Sequence, residues 1–465
     1  MSPRQPEGPR DPRRGGGHDD AGGSATIATT AITDTRIAAA QISGELRAGE
    51  LLDAAFDRRT ARLDARDRRW TRELVYGLLR RRSVIDSYLH ERVKGGFSRL
   101  DVDLVDLLRI GAYQLLFMGS VPAYAAIGQT VELAKRRHGI GASKLVNAVL
   151  RRLDRDRDQL TLPANADPIE SLALEQSHPL WLVARWVGRW GVEETRRLLS
   201  ANNTEAPLVA RPVHVVREQL EAALEAADVH VEDAPLVRDS LVLAGPIASL
   251  SELSAFKKGQ FHLQDPASTL VTVYAAVPAG ATVADICAAP GGKSVELSRT
   301  AGAVFASDLS FPRLRRVREN IARLELEKVF AFVADARRPA TREMDVVLLD
   351  APCTGTGTFR RHPDARWRIK PSDLAVLPAL QRELLRTAAR NVRVDGLLVY
   401  STCSLEPEEN DGQIELFLRE NPTWHLEPPP AGTVPASAID GGYLRVLPQV
   451  HGTDGAFAAR LRRTA

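Results

Sequence analysis

Apolar positions along this chain change their spacing part-way through. From residue 35 to about residue 153 they recur with the spacing of one helix face, as in Leu104, Val105, Leu107, Leu108, Ile110, Tyr113, Leu115 and Leu116, and strand-like alternation is rare. An all-helical unit over residues 30–160 is predicted. Residues 1–24 are Pro, Gly, Arg and Asp with almost nothing apolar, too little to offset the entropy of ordering, so a disordered tail is expected there. The polar residues 154–167 read as a linker. A small mixed α/β unit is expected over residues 165–260: Trp181, Trp186 and Trp190 lie near its start, the turn-rich Asn202, Asn203, Thr204 and Pro207 follow, and short strands and helices complete it. Its pattern singles out no particular fold.

Beyond Gln264 short apolar strands alternate with helices. Residues 283–287, 304–307, 329–333, 345–349 and 397–401 read as strands, and 312–324 and 372–392 as helices between them. Such alternation predicts an α/β unit over residues 261–465, a parallel sheet covered on both faces with ligands at the carboxyl ends of its strands. Residues 443–447 and 456–461 are expected to add an antiparallel hairpin at the edge.

Composition narrows the class. Of 465 residues 44% are hydrophobic and 26% charged, which suits a globular protein. No apolar run approaches the roughly 18 residues that span a bilayer, and the first residues lack an apolar signal core, so a cytoplasmic protein with no membrane partner is expected. Three cysteines, Cys287, Cys353 and Cys403, lack the paired spacing of disulfides or zinc sites; they read as free thiols, and no metal is expected. The net charge of +3 says little about nucleic acid, but arginines cluster over residues 66–82, 313–323 and 360–370.

The chemistry gathers at predicted strand ends. After Asp285 and Ile286 come Cys287, Ala288, Ala289, Pro290, Gly291, Gly292 and Lys293, small residues that let the backbone approach a bound cofactor. Acids follow the next strands: Asp308, Asp335 and Asp350. One such Asp is usually a cap or turn residue; three at successive strand ends form a constellation, and an acid at the second suits ribose hydroxyls. The first loop lacks G-x-G-x-x-G spacing, which favours a nucleoside cofactor without a pyrophosphate. Cys353, in Asp350-Ala351-Pro352-Cys353, and Cys403, in Ser401-Thr402-Cys403-Ser404, end two further strands. A buried cysteine is ordinarily a small hydrophobe, yet these two stand where an open cleft is expected. A thiolate there suits one demanding reaction: adding to carbon 6 of cytosine turns the ring into an enamine whose carbon 5 can attack a sulfonium methyl. Residues 359–370, with Arg360, Arg361, His362, Arg366, Trp367, Arg368 and Lys370, set basic groups and an aromatic ring beside this site, as a strand of RNA would require.

Cys-Ala-Ala-Pro-Gly-Gly-Lys at 287–293, Asp-Ala-Pro-Cys at 350–353 and Ser-Thr-Cys-Ser at 401–404 together resemble the RNA cytosine-5 methyltransferase family, most closely its bacterial members that act on 16S ribosomal RNA. Val121-Pro122 with residues 144–152 resembles the NusB-like helical RNA-binding domain of that family, and residues 451–457 are similar to its ending. The resemblance implies a Rossmann-like S-adenosylmethionine-dependent methyltransferase domain behind a NusB-like one, acting as a monomer on 16S ribosomal RNA. It further implies that residues 287–293, Asp308, Asp335 and Asp350 bind the cofactor, that Cys403 attacks carbon 6 and that Cys353 helps release the product. Transfer RNA or large-subunit ribosomal RNA as substrate, a DNA cytosine methyltransferase with its nucleophile in the Pro-Cys motif, and a non-catalytic RNA-binding assembly factor are the alternatives.

Overall fold

In the computed structural model, which describes residues 32–164, 167–245, 250–338 and 340–465, the helical spacing of the first third becomes α1 (Asp34–Arg47), α2 (Leu52–Thr60), α3 (Ala65–Arg80), α4 (Arg82–His90), α5 (Val102–Phe117) and α6 (Ala123–Arg155). The tail expected over residues 1–24 lies outside the described residues. Ile42, Leu74, Leu107, Leu108, Val146 and Leu150 are fully buried between these helices, the apolar faces that the spacing foretold. α3 and α5 meet so closely at Gly77 that a methyl there would lie 1.8 Å from the Tyr113 hydroxyl. α6 runs to Arg155, with a kink at Gly139, whose φ is 84°.

The next elements are α7 (Pro168–Glu175), α8 (Leu180–Asn203), β1 (Leu208–Pro212), α9 (Arg217–Glu225), β2 (His230–Asp233), β3 (Leu241–Ala244), α10 (Ser254–Lys257) and β4 (Phe261–Leu263). The strands form an antiparallel sheet in the order β2-β3-β1-β4, with Leu220 and Leu224 of α9 packed on Leu241 and Phe261.

The last unit contains α11 (Pro266–Ala275), β5 (Thr282–Ile286), α12 (Gly292–Leu297), β6 (Ala303–Asp308), α13 (Phe311–Arg323), β7 (Val329–Val333), β8 (Met344–Asp350), α14 (Ala365–Arg368), α15 (Asp373–Arg390), β9 (Val392–Thr402), α16 (Asp411–Glu420), β10 (Trp424–Leu426), β11 (Ile439–Asp440), β12 (Tyr443–Val446), α17 (Pro448–His451) and β13 (Ala456–Arg463). Its sheet order is β11-β12-β13-β9-β8-β5-β6-β7, with β10 also on β13. β7, β6, β5, β8 and β9 are mutually parallel, whereas β13 runs antiparallel to β9 and to β12, so the foreseen hairpin extends the sheet. From β5 the chain steps outward to β6 and β7, then returns to place β8 on the other flank of β5. That reversal opens a crevice at the carboxyl ends of β5 and β8.

Residues 359–370 correct the sequence reading. Most of their side chains turn inward, where the three units meet, instead of forming a continuous basic surface. Arg366 is fully buried and donates to the Asn203 side chain at 2.7 Å, the Asn202 carbonyl at 2.9 Å and the Phe359 carbonyl at 3.3 Å. Burial pulls its pKa down to about 9. Arg361 bridges Asp265 and Asp454 at 2.8 and 2.9 Å, and the Trp367 indole donates to the Leu79 carbonyl of α3 at 2.8 Å. His362 pairs with Asp53 of α2 at 3.2 Å. A guanidinium carries five donors, and oxygens from distant segments take several of them here, although the buried Nε atoms of Arg360 and Arg366 have no partner; sequence displays the charge but not those partners. Arg368 and Lys370 remain exposed.

Candidate active site

The loop after β5 is built for close approach. Cys287 takes a left-handed φ of 64° and Gly291 one of 102°, reversing the chain between strand and helix. The Ala288 amide donates to the Ser307 carbonyl at 2.9 Å and the Ala289 amide to Asp308 at 3.2 Å. Asp308, 4% exposed, also accepts from the Ser310 amide at 2.8 Å and faces Arg313 at 3.4 Å, so it ties the loop to the end of β6. Arg313 in turn donates to the Ala289 carbonyl at 2.7 Å.

Beneath the loop, Asp285 is wholly buried; one oxygen accepts from the Ser294 hydroxyl at 2.5 Å and the other has no partner. Burial, reinforced by Asp350 and Asp308, pushes its pKa up to about 7. Set against an ordinary value of 3.8, this shift favours folding below about pH 4, and the advantage fades as pH rises towards 7. Urea midpoints at fixed pH should therefore show the stability of the native protein, measured relative to Asp285→Asn, falling across that window. A difference that stays flat with pH would contradict the shift.

The second cluster stands beside the first. Lys293 donates to Asp350 at 2.7 Å, and the other Asp350 oxygen accepts from the Ser401 hydroxyl at 2.8 Å. Burial opposes the Lys293 charge, but Asp350 and the neighbouring Cys403 outweigh it and hold the ammonium above its usual range. The Cys353 and Cys403 sulfurs lie 3.3 Å apart. The bond to Cys403, aided by burial, pushes the Cys353 thiol well above its usual range, while burial and the surrounding carboxylates push Cys287 up to about 12. Close packing sets the sulfurs' place: the Gly357 amide donates to the Cys403 carbonyl at 2.9 Å, and a methyl on Gly357 would meet that oxygen at 2.7 Å.

Residues 287–293, Asp308, Asp350, Cys353 and Cys403 are thus brought together at one sheet edge. Asp335 is set apart: it ends β7, but both its oxygens engage the Arg337 side chain, at 2.8 to 3.1 Å. Sequence reasoning missed Glu409 and Asn410, which lie beneath the thiols. Asn410 accepts from Thr402 at 2.6 Å and donates to the Ser404 carbonyl at 2.8 Å. Their place a few residues past Cys403 was the available signal.

Two cavities meet here. One of about 450 Å³ is lined by Gln264, Ala288, Pro290, Lys293, Asp350 and Asp454. The other, about 770 Å³, opens between α2 and the sheet edge, with Asp53, Asp57 and Arg58 on one wall and Pro290, Arg316 and Cys353 on the other. The methyls of Ala288 and Ala289, the bare Gly291 and Gly292, carboxylates at the rim and the first cavity against them fit a cationic nucleoside such as S-adenosylmethionine. Among the described residues no group of His, Cys, Asp or Glu is arranged to hold a metal, and no helix is long and apolar enough to cross a membrane.

Comparison with known proteins agrees with this arrangement. Residues 274–462 match the family described as 16S rRNA methyltransferase RsmB/F, residues 26–155 the NusB family, and residues 178–249 the ferredoxin-like domain of RsmF/B-like methyltransferases. A probable ribosomal RNA small subunit methyltransferase B from Synechocystis is 34% identical across 88% of this chain and 95% of its own. Ribosomal RNA small subunit methyltransferase B from Vibrio cholerae is 35% identical across 87% and 94%. The solved structure of PH0851 superposes with a TM-score of 0.78 at 28% identity, covering 93% of this chain and 99% of that one. With the same units in the same order and near-complete coverage of these relatives, the chain belongs to the ribosomal RNA small subunit methyltransferase B family, whose cofactor is S-adenosylmethionine.

Proposed function

We propose that this protein methylates carbon 5 of a cytosine in 16S ribosomal RNA through a covalent bond between Cys403 and carbon 6. The observation that carries the reading is the pair of thiols 3.3 Å apart at the crevice, Cys353 being the one held protonated. S-adenosylmethionine supplies the electrophilic methyl group. Residues 287–293, Asp308 and Asp350 would hold it, with Asp335, paired to Arg337, after the end of β7. Lys293, held charged, sets positive charge beside Cys403. That thiolate adds to carbon 6, and carbon 5 gains the electron density it needs to take the methyl. A base then removes the carbon 5 proton, the ring double bond re-forms as the carbon–sulfur bond breaks and its electron pair returns to Cys403, and the Cys353 S–H steadies the departing thiolate by a hydrogen bond.

The wide cavity between α2 and Cys353 supports an unstacked nucleotide as substrate, because a base within a duplex keeps carbon 6 out of reach. Bisulfite sequencing of RNA from cells with and without the gene tests the assignment. One 16S cytosine should lose its 5-methyl mark when the protein is absent. An unchanged 16S pattern, or a mark lost only from transfer RNA or large-subunit RNA, would overturn the substrate.

A further inference from the structure

Beneath the two thiols lies a carboxylate for which the reaction above has no role. Glu409 is fully buried, and every hydrogen bond to its carboxylate comes from a segment flanking a thiol or supporting one. One oxygen accepts from the Thr354 amide and from the Gln381 side chain, both at 2.9 Å. The other accepts from the hydroxyls of Thr354 and Ser404. Gln381, on α15, also donates to the Pro352 carbonyl at 2.9 Å. The residues on either side of Cys353 are therefore held by Glu409 directly and through Gln381.

Cys403 has a single link to Glu409, through the hydroxyl of Ser404, and several supports besides. It continues β9, where Ser401 is in register with Asp350 and Thr402 with Phe457. Its carbonyl accepts from Gly357, and Thr402 and Ser404 are each bound by Asn410. The first thiol rides on the sheet; the second rides on a loop whose anchor is Glu409.

We infer that Glu409 is a positioning residue for Cys353, holding the second thiol at its short distance from the first, so that it governs release of the methylated base and not attack on it. This rests on the functional reading above. Glu409→Gln keeps the size of the side chain but loses the charge and one acceptor oxygen. Charge-assisted hydrogen bonds are the strong ones, so a loss of about tenfold in multiple turnover is expected. Adduct formation in a single turnover should stay close to the native rate, and the adduct should accumulate on a denaturing gel.

The decisive arm is the double variant. If Glu409 acts through Cys353, adding Glu409→Gln to Cys353→Ala changes nothing further. Thr354→Val removes one hydroxyl donor to the same carboxylate and should show the same pattern more weakly, which keeps the test open should Glu409→Gln fold poorly. Adduct formation slowed in step with turnover, or a double variant much slower than Cys353→Ala, would overturn the inference. A Cys353→Ala single variant that accumulates no adduct would remove the release role itself, and the positioning role with it, a result distinct from the other two.

Discussion

Cys403→Ala should abolish both methyl transfer and the covalent RNA adduct, lowering turnover by at least about 10³-fold. Without a thiolate at carbon 6 the enamine never forms, and nothing else in the crevice replaces it: Cys287 is pushed up to about 12 and stays a neutral thiol. Cys353→Ala should behave differently. Attack at carbon 6 does not require its sulfur, so the adduct forms, but the departing Cys403 sulfur loses its 3.3 Å neighbour and release slows. Incubation with RNA and S-adenosylmethionine followed by a denaturing gel separates the two, with a retarded band for Cys353→Ala and none for Cys403→Ala. The target cytosine must be single-stranded or in a loop, since the base has to leave its stack. The reverse gel pattern would move the nucleophile to Cys353 and bring back the mechanism of the DNA enzymes.

Asp308→Asn carries the second large effect, on cofactor affinity. The buried carboxylate holds the Ala289 amide at 3.2 Å and the Ser310 amide at 2.8 Å, and it ends the strand beside the first loop, where ribose hydroxyls are expected. An amide side chain keeps the shape and loses half of the acceptors. Hydrogen bonds to a charged group are commonly worth about 1.5 to 3 kcal/mol, so S-adenosylmethionine should bind roughly 10- to 100-fold more weakly by calorimetry. Native affinity in a folded Asp308→Asn protein would remove Asp308 from the site. The variant also tests the loop itself, because a protein that keeps its melting temperature while losing affinity has lost a ligand contact and not its anchor.

Much of this was legible in the residues. The central parallel strands follow from runs of apolar residues long enough to be buried on both faces, and the Tyr443–Val446 strand of the hairpin from its alternation of buried and half-buried positions. The loop at 287–293 and the two thiols follow from small residues and cysteines at strand ends. The antiparallel sheet of the middle unit was not legible: β2 spans only His230–Asp233 and is largely exposed, so it shows no buried alternation. Asp335 satisfied the pattern of acids at strand ends, but a neighbour two positions on, Arg337, captures its carboxylate, and local ion pairing leaves no periodic trace. Glu409 reads in sequence as one acid of an acidic run, and only the fold shows that its partners are the thiol-bearing loops.

The inward path of residues 359–370 bears on how such a protein could be rebuilt from parts. Arg366 plugs into the last turn of α8, Trp367 seals against α3, and His362 meets α2, so one short stretch of the methyltransferase unit completes the cores of both units before it. A graft of a different N-terminal helical domain onto this methyltransferase would leave the Trp367 indole without its Leu79 acceptor and His362 without Asp53 at the seam. The natural unit of exchange is therefore the N-terminal helices together with this stretch, and a chimaera cut at the linker alone should aggregate where one that also carries the matching residues 359–370 stays soluble.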